Sequence, residues 1–99
     1  MKVHTIRLGE PWERTTLADG RVRHRRRFGR PRTRDANERV WLVGEQPMTA
    51  TVNGMTLGTA ERFDLTALLQ PRNELVIDMP SPEPLGGVVL EVWAEPSPS

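Results

Sequence analysis

Glycine and proline recur so evenly along this chain that helices of ordinary length have almost no room. The longer uninterrupted stretches are 1–8, 12–19, 21–28, 32–43, 59–70, 72–79 and 88–95, and five of these seven are eight residues long. Proline removes a backbone donor and clashes with the preceding helical turn, and glycine weakens a helix interior. Strands of roughly five to seven residues fit the same gaps. Short strands at even spacing, closed by Gly/Pro turns, predict an all-β chain, a sandwich or a barrel; the reading adopted is a single antiparallel β-sandwich. Ninety-nine residues are enough for one domain, taken as 1–95 with a short polar tail at 96–99.

Side-chain alternation agrees. Residues 3–8 alternate weakly, and Asp19-Gly20 marks a tight turn between Thr15-Thr16-Leu17 and a strand over 21–28. In that strand the odd positions are all Arg, and the even positions are Val22, His24, Arg26 and Phe28. Such a strand belongs near a sheet edge, where charge discourages edge-to-edge pairing. Residues 39–43 are apolar on both faces and predict a central strand, with Trp41 in the core. Inward sets follow as Ala50 and Val52; Leu75, Ile77 and Met79; and Val88, Leu90, Val92 and Ala94. Asn53-Gly54 is the strongest hairpin signal, since a type I′ turn needs positive φ at both central residues. It is expected to join 49–52 to 55–57. Residues 64–70 predict a strand end and one helical turn, capped by Asp64 or Thr66 and stopped by Pro71. Residues 80–87 read as a loop.

Composition excludes most chemistry. Cysteine is absent, which removes disulfides and thiolates. The two histidines, His4 and His24, lack metal-ligand spacing, so no metal and no cofactor is expected. The three serines, Ser81, Ser97 and Ser99, lie in proline-rich segments without a base nearby. No Gly-rich phosphate loop is present. No enzyme activity is expected. No apolar run exceeds four residues, against about 20 for a spanning helix, and the first ten residues lack a signal-peptide core; the expectation is a cytoplasmic protein without membrane contact. Charge is uneven: residues 1–40 carry twelve Lys/Arg and five acids, residues 41–99 two and eight. Basic strands lying beside acidic ones would offset these charges. Arg26, on the inner face of its strand, needs a partner, with Asp64, Asp78 and Glu91 as candidates.

The order of motifs resembles the jelly-roll, galactose-binding-like domain at the front of glycoside hydrolase family two enzymes. The matching pieces are Arg26-Arg27-Phe28 leading to Pro31; Glu38-Arg39-Val40-Trp41-Leu42-Val43; Ala50-Thr51-Val52-Asn53-Gly54 with Leu57-Gly58; Phe63-Asp64-Leu65-Thr66 with Leu68-Leu69; and Pro71-Arg72-Asn73-Glu74-Leu75-Val76-Ile77. They span 25–79, in a shortened form, with only Thr59-Ala60-Glu61-Arg62 between hairpin and Asp-x-Thr piece. The resemblance implies a jelly-roll fold. It also implies that the family's catalytic carboxylates belong to a separate barrel domain, outside these residues. Asn53, Gly54, Asp64, Thr66 and Asn73 match as turn and cap residues.

Three functions follow as expectations. The first is a non-catalytic, carbohydrate-binding-like module, with Trp12 and Trp93 as stacking platforms and Arg25 and Arg27 for polar contacts. The second is a protein-interaction or assembly module, including a homodimer, in which Trp93 and Val89 form a patch. The third, ranked lowest, is anion or nucleic-acid binding through the Arg-rich segment 21–34.

Overall fold

A computed structural model describes residues 1–9, 11–33, 37–80 and 86–94. Within them lie seven strands and no helix: β1 (Lys2–Arg7), β2 (Glu13–Thr16), β3 (Val22–Gly29), β4 (Glu38–Val52), β5 (Met55–Asp64), β6 (Arg72–Met79) and β7 (Val89–Ala94). All pairings are antiparallel, in the order β1-β7-β4-β6-β3-β2, with β5 along the other side of β4. The chain is all-β, as the Gly/Pro spacing predicts, and folds as the jelly-roll-like sandwich that the resemblance implies. The proposed tail at 96–99, its boundary at 95, and most of the 80–87 loop lie outside the described residues.

β4 organises the sandwich. Its first part, Glu38 to Val43, pairs with β7, and its last part, Thr49 to Val52, pairs with β6. Between them the β4–β5 register shifts, at Gly44-Glu45-Gln46-Pro47. The sequence reading breaks the chain here into two strands. Instead one strand of 15 residues runs through, because an irregularity in the ladder tolerates both a proline without an N–H and a glycine. Gly44 also allows a close approach, since a Cβ there would stand 3.0 Å from Met48 Sδ. The sheet curls at this point, so Val40 and Leu42 on one side of the bend and Met48, Ala50 and Val52 on the other feed one core.

Alternation places the rest. Leu75, Ile77 and Met79 of β6, Val88, and Leu90 and Val92 of β7, are buried as expected, while Ala94, at the end of β7, is only half-buried. Val22, His24 and Phe28 of β3 also face inward. β3 is the last strand but one; the edge itself is the short, fully exposed β2. The hairpin turns at Asn53 and Gly54, with φ of 51° and 83°, and Val52 pairs with Met55. β5 then continues to Asp64, well past the expected end at 57.

The expected helical turn after Asp64 is a hydrogen-bonded turn without helix. The Leu65 N–H donates to the Val40 carbonyl at 2.8 Å and the Leu68 N–H to the Leu65 carbonyl at 2.8 Å. Leu65 is fully buried and holds the turn against the core. Asp64 does cap it: its Oδ1 accepts from the Thr66 N–H at 3.0 Å and the Thr66 hydroxyl at 2.6 Å. The same hydroxyl oxygen accepts from the Val40 N–H at 2.9 Å, tying the turn to β4.

Candidate functional site

Side chains that alternate away from the core form two outer faces. On the first, β7, β4 and β5 lie side by side. Register sets Trp93 opposite Arg39, sets Trp41 between Glu91 and Asp64, and sets Val43 between Val89 and Arg62. The Arg62 guanidinium lies over the Trp41 ring, 4.8 Å from its centroid, and 5.8 Å from that of Trp93. Both tryptophans are half-buried. The Trp93 indole N–H donates to Glu91 Oε1 at 3.0 Å, Arg39 pairs with Asp64 at 3.1 Å, and Lys2 lies 3.7 Å from Glu91. Asp64 is partly desolvated, yet the Thr66 hydroxyl and amide, with Arg39, hold its carboxyl below the usual range.

Trp41 is therefore not the core residue expected. Its strand is sheathed by β7 and β5 at its edges, but its outer face is open. A signal was present in the sequence: Arg39, two positions earlier, shares the Trp41 face of any strand.

The second outer face carries the arginines of β3 beside β6. Arg23 makes a two-point bond to Asp78, at 2.9 and 3.1 Å. Arg25 reaches Glu74 at 4.0 Å, and Arg21 closes on Asp19 at 2.7 Å in the turn before the strand. Arg26 does not take a carboxylate. Its Nε donates to the Gly9 carbonyl at 2.8 Å and its terminal nitrogen to the Arg27 carbonyl at 2.9 Å. Gly9 lies outside the strands, and backbone acceptors leave no signature in a sequence.

The bonds from Arg23 hold the Asp78 carboxyl below the ordinary carboxylate range, against its partial burial. A depressed folded-state value stabilises the protein above the unfolded pKa, and that stability is lost as pH falls through the folded one. Melting temperature is thus expected to fall on acidification below about pH 4. Asp78→Asn should melt lower at neutral pH but lose less on acidification. Parallel acid limbs for the two proteins would show that the pair contributes nothing.

Trp12 and Trp93 are not brought together. Trp12 packs against the core beside His24, ring edge to face at 6.4 Å, and its indole N–H donates to the Leu8 carbonyl at 3.1 Å. Trp93 stands on the outer face of β7. Asn53 and Asn73 meet in a network that the sequence reading places only as separate turn residues. Asn53 Nδ2 donates to Asn73 Oδ1 at 2.9 Å and to the Leu68 carbonyl at 3.1 Å, while Asn53 Oδ1 accepts from the Glu74 N–H at 2.9 Å. Asn73 Oδ1 also accepts from the Gln70 N–H, and its Nδ2 donates to the Gln70 carbonyl, both at 2.8 Å. This network underlies an open depression of about 640 Å³ lined in part by Arg27, Arg72 and Glu74. Arg25 lies on the same face, toward β2. No helix of the described residues is long and apolar enough to cross a membrane.

No protein-family model and no curated protein matches the chain. Among solved structures, it is similar to the crystal structure of an FMN-binding β-glucuronidase from Facaelibacterium prausnitzii L2-6, with a TM-score of 0.72 and 20% identity. The match covers 92% of this chain and 22% of that one, so the chain spans about a fifth of the enzyme's length. At this identity the likeness establishes the fold: nearly the whole chain folds as a segment of a glycosidase does.

Proposed function

We propose that this chain is a non-catalytic β-sandwich module of the glycoside hydrolase type, and that it docks on a glycosidase catalytic domain through the Trp41–Arg62–Trp93 face. The observation that carries the reading is one guanidinium over two half-exposed indoles. Tryptophan and arginine dominate the energetic centres of protein interfaces, and the surrounding Arg39, Asp64, Glu91 and Lys2 supply the polar rim such centres have. The fold match supports the choice of occupant, since the matching segment is about a fifth of a longer enzyme chain. Sugar stacking on an aromatic platform fits less well. Arg62 covers the Trp41 ring, and Trp12 faces the core.

The test is calorimetric titration of the chain with the catalytic barrel of a family two glycosidase from the same source. Binding is expected, with Trp41→Ala or Trp93→Ala weakening it by at least about 2 kcal/mol, roughly 30-fold. A neutral glycan panel at millimolar concentration is expected to leave tryptophan fluorescence unchanged. A flat barrel titration, or a glycan that quenches the wild type but not Trp93→Ala, would overturn the docking reading; the latter result would restore the carbohydrate-binding one.

A further inference from the structure

The arginines between 21 and 27 can be accounted for one by one. Arg21, Arg23 and Arg25 have carboxylate partners, and Arg26 binds two carbonyls. Arg27 is different: among the described residues no hydrogen bond or ion pair engages its guanidinium, and the same holds for Arg72 of β6. The two belong to one place. Arg27 is opposite Glu74 and Arg72 is opposite Gly29 in the β3–β6 ladder. They are therefore diagonal neighbours on the outer face, about 7–8 Å apart by sheet geometry.

Gly29 leaves the space beside Arg72 open. A Cβ built there would meet nothing within 4 Å. Around this gap lies the depression of about 640 Å³, with Phe28 and Pro71 as its apolar lining and Glu74 as its one acid. The Glu74 carboxylate already faces Arg25. The volume falls within the range of sites for small molecules. Asn53 and Asn73 line it, and their network ties the Glu74 N–H of β6 and, at 3.4 Å, the Phe28 carbonyl of β3, so this wall is formed before any ligand arrives.

We propose that this depression binds a small molecule carrying an oxyanion group (carboxylate, sulfate or phosphate) gripped jointly by Arg27 and Arg72. Guanidinium groups match such oxyanions with paired, charge-assisted hydrogen bonds. The exposed Pro71 faces the body of the ligand. The site lies on the β3–β6 face, apart from the tryptophan face on β7, β4 and β5, and stands independently of the docking reading.

The experiment is a ¹H–¹⁵N NMR titration at constant ionic strength with four probes: sodium glucuronate, inorganic sulfate, inorganic phosphate and glucose. Saturable shifts are expected at the Nε–H groups of Arg27 and Arg72 and at the Gly29 amide, for at least one anion and not for glucose. The anion that saturates at the lowest concentration identifies the preferred oxyanion. Arg27→Gln and Arg72→Gln are each expected to weaken that binding about tenfold, while Arg30→Gln, an exposed arginine outside the depression, leaves it unchanged. Dispersed spectra of the variants show that they fold. Shifts that sodium chloride reproduces, or that survive in the Arg27→Gln/Arg72→Gln double variant, would reduce the arginines to screened surface charge and overturn the site.

Discussion

Asn73→Ala is expected to lower unfolding stability by about 2–4 kcal/mol, because several part-buried polar groups lose their partner together. Asn73 is 2% exposed. Its carboxamide accepts from Asn53 Nδ2 and the Gln70 N–H, and donates to the Gln70 carbonyl and, at 3.4 Å, to the Phe28 carbonyl. It thereby joins β6, β3, the 53–54 turn and the segment that follows Leu65. Removing it leaves part-buried donors and acceptors on three segments unpaired at once. Urea unfolding measures the loss. In a domain of this size each kcal/mol is about 4–8 °C in melting temperature, so thermal melts must move in parallel. A loss below about 0.5 kcal/mol would mean that water replaces the carboxamide and that the network is not structural.

Gly54→Val is expected to cost about 1–3 kcal/mol, since a β-branched residue would be held at positive φ. Gly54 has φ 83°, and a Cβ there meets nothing within 4 Å. The penalty is therefore conformational and not a clash. Gly54→Asn separates the two, because asparagine visits the left-handed region readily. It should lose less than Gly54→Val while adding more bulk than an alanine. Equal losses would point to crowding instead. The neighbouring Asn53, at φ 51°, already adopts this conformation while its side chain bonds Glu74, Asn73 and Leu68.

These two positions show how differently features were legible. The Asn53-Gly54 turn is local: two adjacent residues suffice, because φ preference is a property of each residue alone. The same holds for the Asp64 cap on Thr66, two residues on. Asn73 looked like one more turn residue, since its partners come from positions 28, 53 and 70. The arginine strand lay between these cases. Period two placed Arg21, Arg23, Arg25 and Arg27 on one face and expected acids across from them, and Asp78 and Glu74 stand there on β6. Which arginine would lack a partner depended on the register, and the register belongs to the pair of strands.

Trp41 marks the boundary most clearly. With apolar neighbours on both sides, Val40 and Leu42, the sequence predicts a central strand with Trp41 in the core. Whether a second layer covers the outer face is decided by how the whole sheet curls, and this one curls toward the face of Val40 and Leu42. By itself the sequence determined the all-β class, the positions of most turns and the inward residues of β6, of the end of β4 and of β7 up to Val92, because these follow from backbone preferences and from a period of two residues. Only the tertiary structure decided that β4 runs unbroken through Gly44 and Pro47, that Arg62 lies over Trp41 and Trp93, and that Arg27 and Arg72 share one depression. Those outcomes rest on pairings between distant segments, and they exist only once the sheet has closed.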